Sequence, residues 1–196
     1  MKIDAFRARA KVDPQLEPRF HIGLGMIQLH LVKSEKNTVR YHVWHPDLPP
    51  LTAGRSIHNH RFSFRSEVLK GTLWNTPLAP VFGSTHVLWQ CFREGGPPAK
   101  NLGPVGLRRE DADRFLAGES YFFEAGRFHE TQCFGLTVTR MTKLWDAEIP
   151  VMVVARPGVS MEHAYDPAVQ RPPVTRLWEA LEDALKDIDE EVSPVN

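Results

Sequence analysis

Apolar and polar residues alternate with a period of two along many short stretches of this chain. Successive side chains of a strand point to opposite faces, so this alternation predicts half-buried strands. β-Branched and aromatic residues concentrate in Met26–Val32, Thr38–Trp44, Ser56–His60, Phe62–Leu69, Thr72–Asn75, His86–Phe92, Ser120–Glu124, Glu130–Cys133 and Leu136–Trp145. Short strands separated by turn signals predict a sandwich or barrel. Lys33 to Asn37 reads as a hairpin connection, and Pro46 to Gly54 as a loop. The Gly/Pro-rich stretch Gly95 to Gly106 reads as a surface loop, and Leu107–Leu116 as a short helix or an irregular charged connection. The period changes in the tail. Leu177, Trp178, Leu181, Ala184, Leu185 and Ile188 recur at helical spacing after Pro172 and Pro173, which predicts an amphipathic helix over Val174–Glu191 packed on the outside of the barrel. The chain thus divides into an extension over residues 1–25, a barrel over 26–155, and an extension over 156–196 that carries the helix.

Composition narrows the partners. A length of 196 residues suits one domain with trimmings, and 24 basic residues balance 24 acidic ones. No basic excess is available to neutralise a phosphate backbone, so nucleic acid is not expected. The apolar runs fall well short of the roughly 20 residues that span a bilayer, so no membrane is expected. The opening MKIDAFRARAKVD lacks an apolar core for a secretory signal, and two cysteines imply no disulfide framework. The expected location is cytoplasmic.

The candidate chemistry starts at Gly54-Arg-Ser-Ile-His58-Asn-His60. Strand parity aims His58 and His60 into one space, about 6–7 Å apart at the backbone, a span that suits two ligands of one metal. Phe62, Phe64, Ser66 and Val68 continue that face, while Arg61, Arg65 and Glu67 point the other way. The second element is Glu124-Ala-Gly-Arg-Phe-His129-Glu-Thr-Gln-Cys133, where a glycine turn delivers His129 to a short strand. His58, His60 and His129 together supply three ligands and leave coordination positions open, as a catalytic metal requires. Taken singly, each motif reads equally well as strand histidines in ordinary hydrogen bonds.

The two motifs resemble those of the cupin superfamily. Gly54-x3-His58-x-His60 with an apolar strand running to Gly71 is similar to the first cupin motif, with a spacer two residues shorter. Gly118-x5-Glu124-x-Gly126-x2-His129-x3-Cys133 is similar to the second, with Glu124 where proline is usual and Cys133 where asparagine is usual. The resemblance covers roughly Trp44 to Trp145 and implies a double-stranded β-helix (jelly-roll) barrel. The carboxylate ligand of the first motif would stand at Phe64, which cannot bind metal. Its absence resembles cysteine dioxygenase and related thiol dioxygenases, which hold iron with three histidines. Away from the metal the likeness thins. Phe64 and Arg65 stand where the family's crosslinked cysteine would fall, only Thr142 matches its late-strand Ser-x-His-x-Tyr run, and Gln28–Val32, where its carboxylate-binding arginine would fall, contains no arginine. The substrate pocket is therefore expected to be particular to this chain, with cysteine an unexpected substrate.

Three neutral imidazoles leave a divalent metal its full charge, which favours an anionic or chelating substrate. The expected function is an Fe(II)-dependent oxygenase acting with O2 on a small molecule of that kind. The rivals are another metal-dependent enzyme on the same scaffold (an isomerase, decarboxylase or hydrolase using Zn, Ni or Mn) and a non-catalytic binding protein. Arg140 is the favoured anion clamp, and Tyr41, on a strand beside the site, is a second catalytic candidate, although an outward Arg140 paired with a carboxylate fits the pattern equally well. Gln28, His30, Arg40, Phe62, Phe64, Ser66 and Cys133 are expected to line the pocket. His42 and His86 read as structural strand histidines. A homodimer is left open.

Overall fold

The computed structural model describes residues 3–21, 23–34, 38–49, 56–92, 97–159, 161 and 172–188. The protein is mainly β. Helix α1 (Ile3–Val12) and a 3-10 turn at Pro14–Leu16 lead into β1 (Arg19–His21), β2 (Met26–Lys33), β3 (Thr38–Trp44), β4 (Ile57–Asn59), β5 (Phe62–Lys70) and β6 (Thr72–Cys91). β7 (Lys100–Arg109), β8 (Asp113–Leu116), β9 (Ser120–Phe123), β10 (Phe128–Cys133), β11 (Thr137–Asp146), β12 (Val151–Ala155) and helix α2 (Val174–Leu185) follow. One antiparallel sheet runs β1-β2-β3-β11-β5-β9 and the other β10-β4-β12-β6-β7, with β8 beside β6 and β10 also pairing β6. A mainly β architecture with a C-terminal helix is what the patterning leads one to expect.

Several boundaries differ from that expectation. Thr72–Asn75 and His86–Phe92 belong largely to one long strand, β6. Much of the Gly/Pro-rich stretch expected as a loop is β7, which pairs with β6 from Leu78↔Arg109 to Gln90↔Lys100. Its composition has a packing cause. A Cβ on Gly106 would lie 3.0 Å from the Phe82 carbonyl oxygen, so only glycine lets the two strands approach there. Pro104 is tolerated because β7 lies at the end of its sheet path, where a missing N–H breaks no inner ladder. Leu107–Leu116 supplies the end of β7 and β8 rather than a helix, and α1, β1 and β12 were not foreseen. Parts of the foreseen hairpin (residues 35–37), of the Pro46–Gly54 loop (50–54), Gly95 and Gly96, and the last three residues of the foreseen tail helix (189–191) lie outside the described residues.

The position of the main core follows from the parity of β2 and β3. Ile27, Leu29, Leu31, Tyr41 and Val43 point away from the other sheet and are buried beneath α1 and α2. α2 contributes Leu177, Trp178, Ala180, Leu181, Ala184 and Leu185, and α1 contributes Ile3 and Phe6. The alternate residues, Gln28, Arg40 and His42 among them, face the space between the sheets. On β2 and β3 the apolar side chains thus lie outward under the helices, while polar ones face the interior.

Leu181 is fully buried under this cover. Leu181→Ala should therefore destabilise the fold by about 2–5 kcal/mol, the usual cost of a large-to-small core change. The measurement is a shift of the urea midpoint at unchanged slope.

Candidate metal centre and substrate pocket

His58 lies on β4, His60 immediately after it, and His129 on β10. In the β4–β10 pairing His129 lies directly opposite His58, the closest cross-strand relation an antiparallel ladder offers. The Gly126 N–H donates to the His60 carbonyl at 2.8 Å, which ties the turn before β10 to the third histidine. Gly126 has φ +85, a left-handed conformation that favours glycine. The three rings form a triangle with centroid separations of 4.7, 4.8 and 5.1 Å.

Hydrogen bonds orient two of the rings. His58 Nδ1 donates to the Ser56 carbonyl at 2.8 Å, and His129 Nδ1 donates to Asn75 Oδ1 at 2.6 Å. Each bond fixes the tautomer and leaves Nε2 free, as in the outer shell of a metal-bound histidine. His60 Nε2 and His129 Nε2 are 3.0 Å apart. Metal–nitrogen bonds of about 2.1 Å meeting at a right angle place two ligand atoms about 3 Å apart, which this pair matches, and the ligand atoms of all three histidines lie within 4.8 Å of one another. Burial, with neighbouring histidine or arginine charge, lowers the pKa of all three rings and keeps them in the neutral form that binds metal. Glu130, next in sequence to His129, faces the other way, accepting from Ser56 Oγ at 2.5 Å and pairing with Arg109.

A cavity of about 1100 Å³ opens between the sheets in front of the triad. Of the residues expected to line it, Gln28, Arg40, Phe62, Phe64 and Ser66 do so. Five expectations need correcting. Arg61, expected on the opposite face, lines the cavity, because it lies between β4 and β5, where strand alternation lapses. Tyr41 is fully buried on the opposite face of β3, because its ring belongs to the apolar core under the helices. Arg140 is its cross-strand neighbour on that outer face and pairs with Glu67 at 2.7 Å, so it does not line the pocket. Cys133 lies on the His129 side of β10 but beyond the cavity, hydrogen-bonded to Thr137, and burial raises its thiol pKa. His30 stands behind the lining, its Nε2 3.3 Å from Gln28 Nε2.

Other lining residues escaped the sequence reading. His42 faces the cavity from β3, as does Thr139 from β11, opposite it in register. His21 comes from β1, a three-residue strand too short for periodicity to detect. Tyr121, whose hydroxyl hydrogen-bonds Ser66 and has a pKa raised by burial, comes from β9. Asn75 was visible only as one polar residue in an apolar strand. No Asp or Glu lines the cavity among the described residues, whereas Arg19, Arg40 and Arg61 do.

Two predictions follow from this geometry. Asn75→Ala should weaken metal binding by about 10–100-fold, the usual cost of losing an outer-shell partner, as read by chelator competition. The second concerns acid. Burial, followed by the Arg40 charge, lowers the His21 and His30 pKa values to about 4, against 6.5 for a free histidine. The unfolded chain takes up these protons first, so the metal-free protein should lose stability as pH falls from about 6.5 towards 4. Urea midpoints at pH 7 and pH 5 measure the loss, which His21→Gln should reduce.

No protein-family model matches the chain, and no curated protein matches it. Among solved structures it is similar to a cupin-2 domain-containing protein from Shewanella frigidimarina, at 12% identity over 60% of this chain and 79% of that one, with a TM-score of 0.35. It is similar to an RmlC-like cupin from the same organism, at 16% identity over 67% and 85% of the two chains and a TM-score of 0.35. Hydroquinone 1,2-dioxygenase from a Sphingomonas species, solved with 4-hydroxybenzoate bound, matches at 10% identity over 61% and 66%, with a TM-score of 0.37.

Proposed function

We propose that this protein is a metal-dependent oxygenase that uses Fe(II), held by His58, His60 and His129, to oxidise a small anionic or chelating molecule with O2. One observation carries the reading. Three histidines bring ring nitrogens within 4.8 Å of one another at the wall of a cavity whose described lining contains no carboxylate. A divalent iron bound there keeps its full +2 charge and supplies open positions at which an anion and O2 can meet.

The chain's own residues set the conditions for that chemistry. Phe64 and Phe123 pack against the His129 ring with centroids at 6.2 and 4.4 Å, and Phe62 stands 5.2 Å from His60. These aromatic walls exclude water from one side of the triad and strengthen electrostatic attraction within it. The Ser56 carbonyl and Asn75 side chain hold the ligand rings in place, so little reorganisation accompanies metal binding. The hydroxyl of Tyr121 stays protonated at neutral pH and can serve the pocket as a hydrogen-bond donor or acceptor.

The test is elemental analysis followed by O2 uptake. The iron-loaded protein should hold about one metal ion per chain, as a three-ligand site with open positions would. It should consume O2 with at least one member of a panel of small thiols, β-dicarbonyls and amino acids, and His129→Ala should lose both metal and uptake. Full metal occupancy in His129→Ala would remove the triad from the site. Stoichiometric Zn without O2 uptake would move the assignment to hydrolytic metal chemistry on the same three ligands.

A further inference from the structure

The sheet facing the triad carries a second polar cluster that the metal does not use. His21 on β1, Gln28 on β2, Arg40 and His42 on β3, and Thr139 on β11 all line the cavity. The ladder explains their convergence. Gln28, His42 and Thr139 lie opposite one another across three adjacent strands, and Arg40 precedes His42 by two residues on the same face. Among the described residues, Arg40 Nε, His21 Nε2, His42 Nε2 and Thr139 Oγ1 are buried atoms with no hydrogen-bond partner, although the His21 ring also interacts with the Gln28 side chain.

Unpaired buried polar atoms are rare and costly, and four in one wall call for an occupant. All four can donate a hydrogen bond, given the free tautomer of the two imidazoles. The guanidinium of Arg40 adds a positive charge, with the Phe62 ring 5.6 Å away as its aromatic neighbour, and no carboxylate among the described lining residues neutralises it. A burial that lowers its pKa to about 10 still leaves it charged at neutral pH. The cluster is therefore neither apolar packing nor a second cation site.

We infer that this wall binds a carboxylate, and that the substrate is a compact molecule with two anionic groups, one for the metal and one for Arg40. The second anchor deepens the proposed function and rests on it only for the metal-bound end. Arg40 offers the planar fork that matches a carboxylate, and His21, His42 and Thr139 supply further donors. A monoanion could satisfy only one wall at a time. A short dicarboxylate, or a carboxylate joined to a thiolate or enolate, satisfies both.

The experiment separates the two walls by using the full chain with and without metal. Calorimetry on the metal-free protein should show binding of malonate and succinate, and Arg40→Gln should weaken it at least tenfold, with Arg40→Lys between the two. Metal-free His129→Ala should retain this binding, so a failure of the metal reading leaves the wall intact. Metal loading should then raise affinity for the dicarboxylates at least tenfold more than for acetate or propionate. Arg40→Met should also raise the melting temperature of the ligand-free protein, because it removes a largely desolvated charge that no described carboxylate neutralises. Equal dicarboxylate affinity in the parent and Arg40→Gln, or an Arg40→Met protein that melts lower or fails to fold, would overturn the carboxylate wall. An unchanged ratio of dicarboxylate to monocarboxylate affinity on metal loading would overturn the bridging substrate.

Discussion

The structure depends on the orientation of one sheet. In β2 and β3 the apolar residues point outward and the polar ones inward, the reverse of a barrel filled by its own core. Such a sheet cannot stand with its Ile27, Leu29, Tyr41 and Val43 face open to water, so α1 and α2 must cover it. The helices are therefore part of what permits a polar interior. With the hydrophobic core moved outside, the space between the sheets is free to hold histidines, an arginine and a substrate.

That freedom has an energetic consequence. Burying Arg40 and several imidazoles opposes folding, because each loses hydration and some of their nitrogens find no partner among the described residues. Desolvation is also what makes the site chemically competent. It holds the histidines neutral, and it leaves an Arg40 charge that no carboxylate among the described lining residues screens. Strain of this kind is expected where function rather than stability selects the side chains. Glu130 and Glu67 show the complementary arrangement. Both lie on site-bearing strands, and both turn to the outer faces, where Arg109 and Arg140 pair with them.

The opposite sheet places ligands with few residues. β10 runs between β4 and β6, so His129 receives a ligand partner from one side and an orienting partner from the other. Asn75 stands opposite Thr131, two residues from His129, and reaches its Nδ1 along the diagonal of the ladder. The triad thus rests on backbone hydrogen bonds rather than on mobile loops, which suits a site whose ligand atoms must be held within fractions of an ångström.

Local pattern was enough to define part of this protein. Clusters of β-branched and aromatic residues between turn signals marked most strands, helical spacing marked α2, and the parity of His58 and His60 with Phe62 and Phe64 put all four side chains on one face without any partner strand. These properties follow from backbone geometry within a single element. The choice of which face meets which neighbour is different, because it depends on what covers a strand from outside. Tyr41 and Arg40 are adjacent and could exchange roles by pattern alone; only the docking of α1 and α2 sends the tyrosine into the core and the arginine into the pocket. The same docking decides that Arg140 pairs outside the barrel while His21, His42 and Thr139 meet within it. Their convergence comes from three strand pairings between segments distant in sequence, and no local periodicity contains that information.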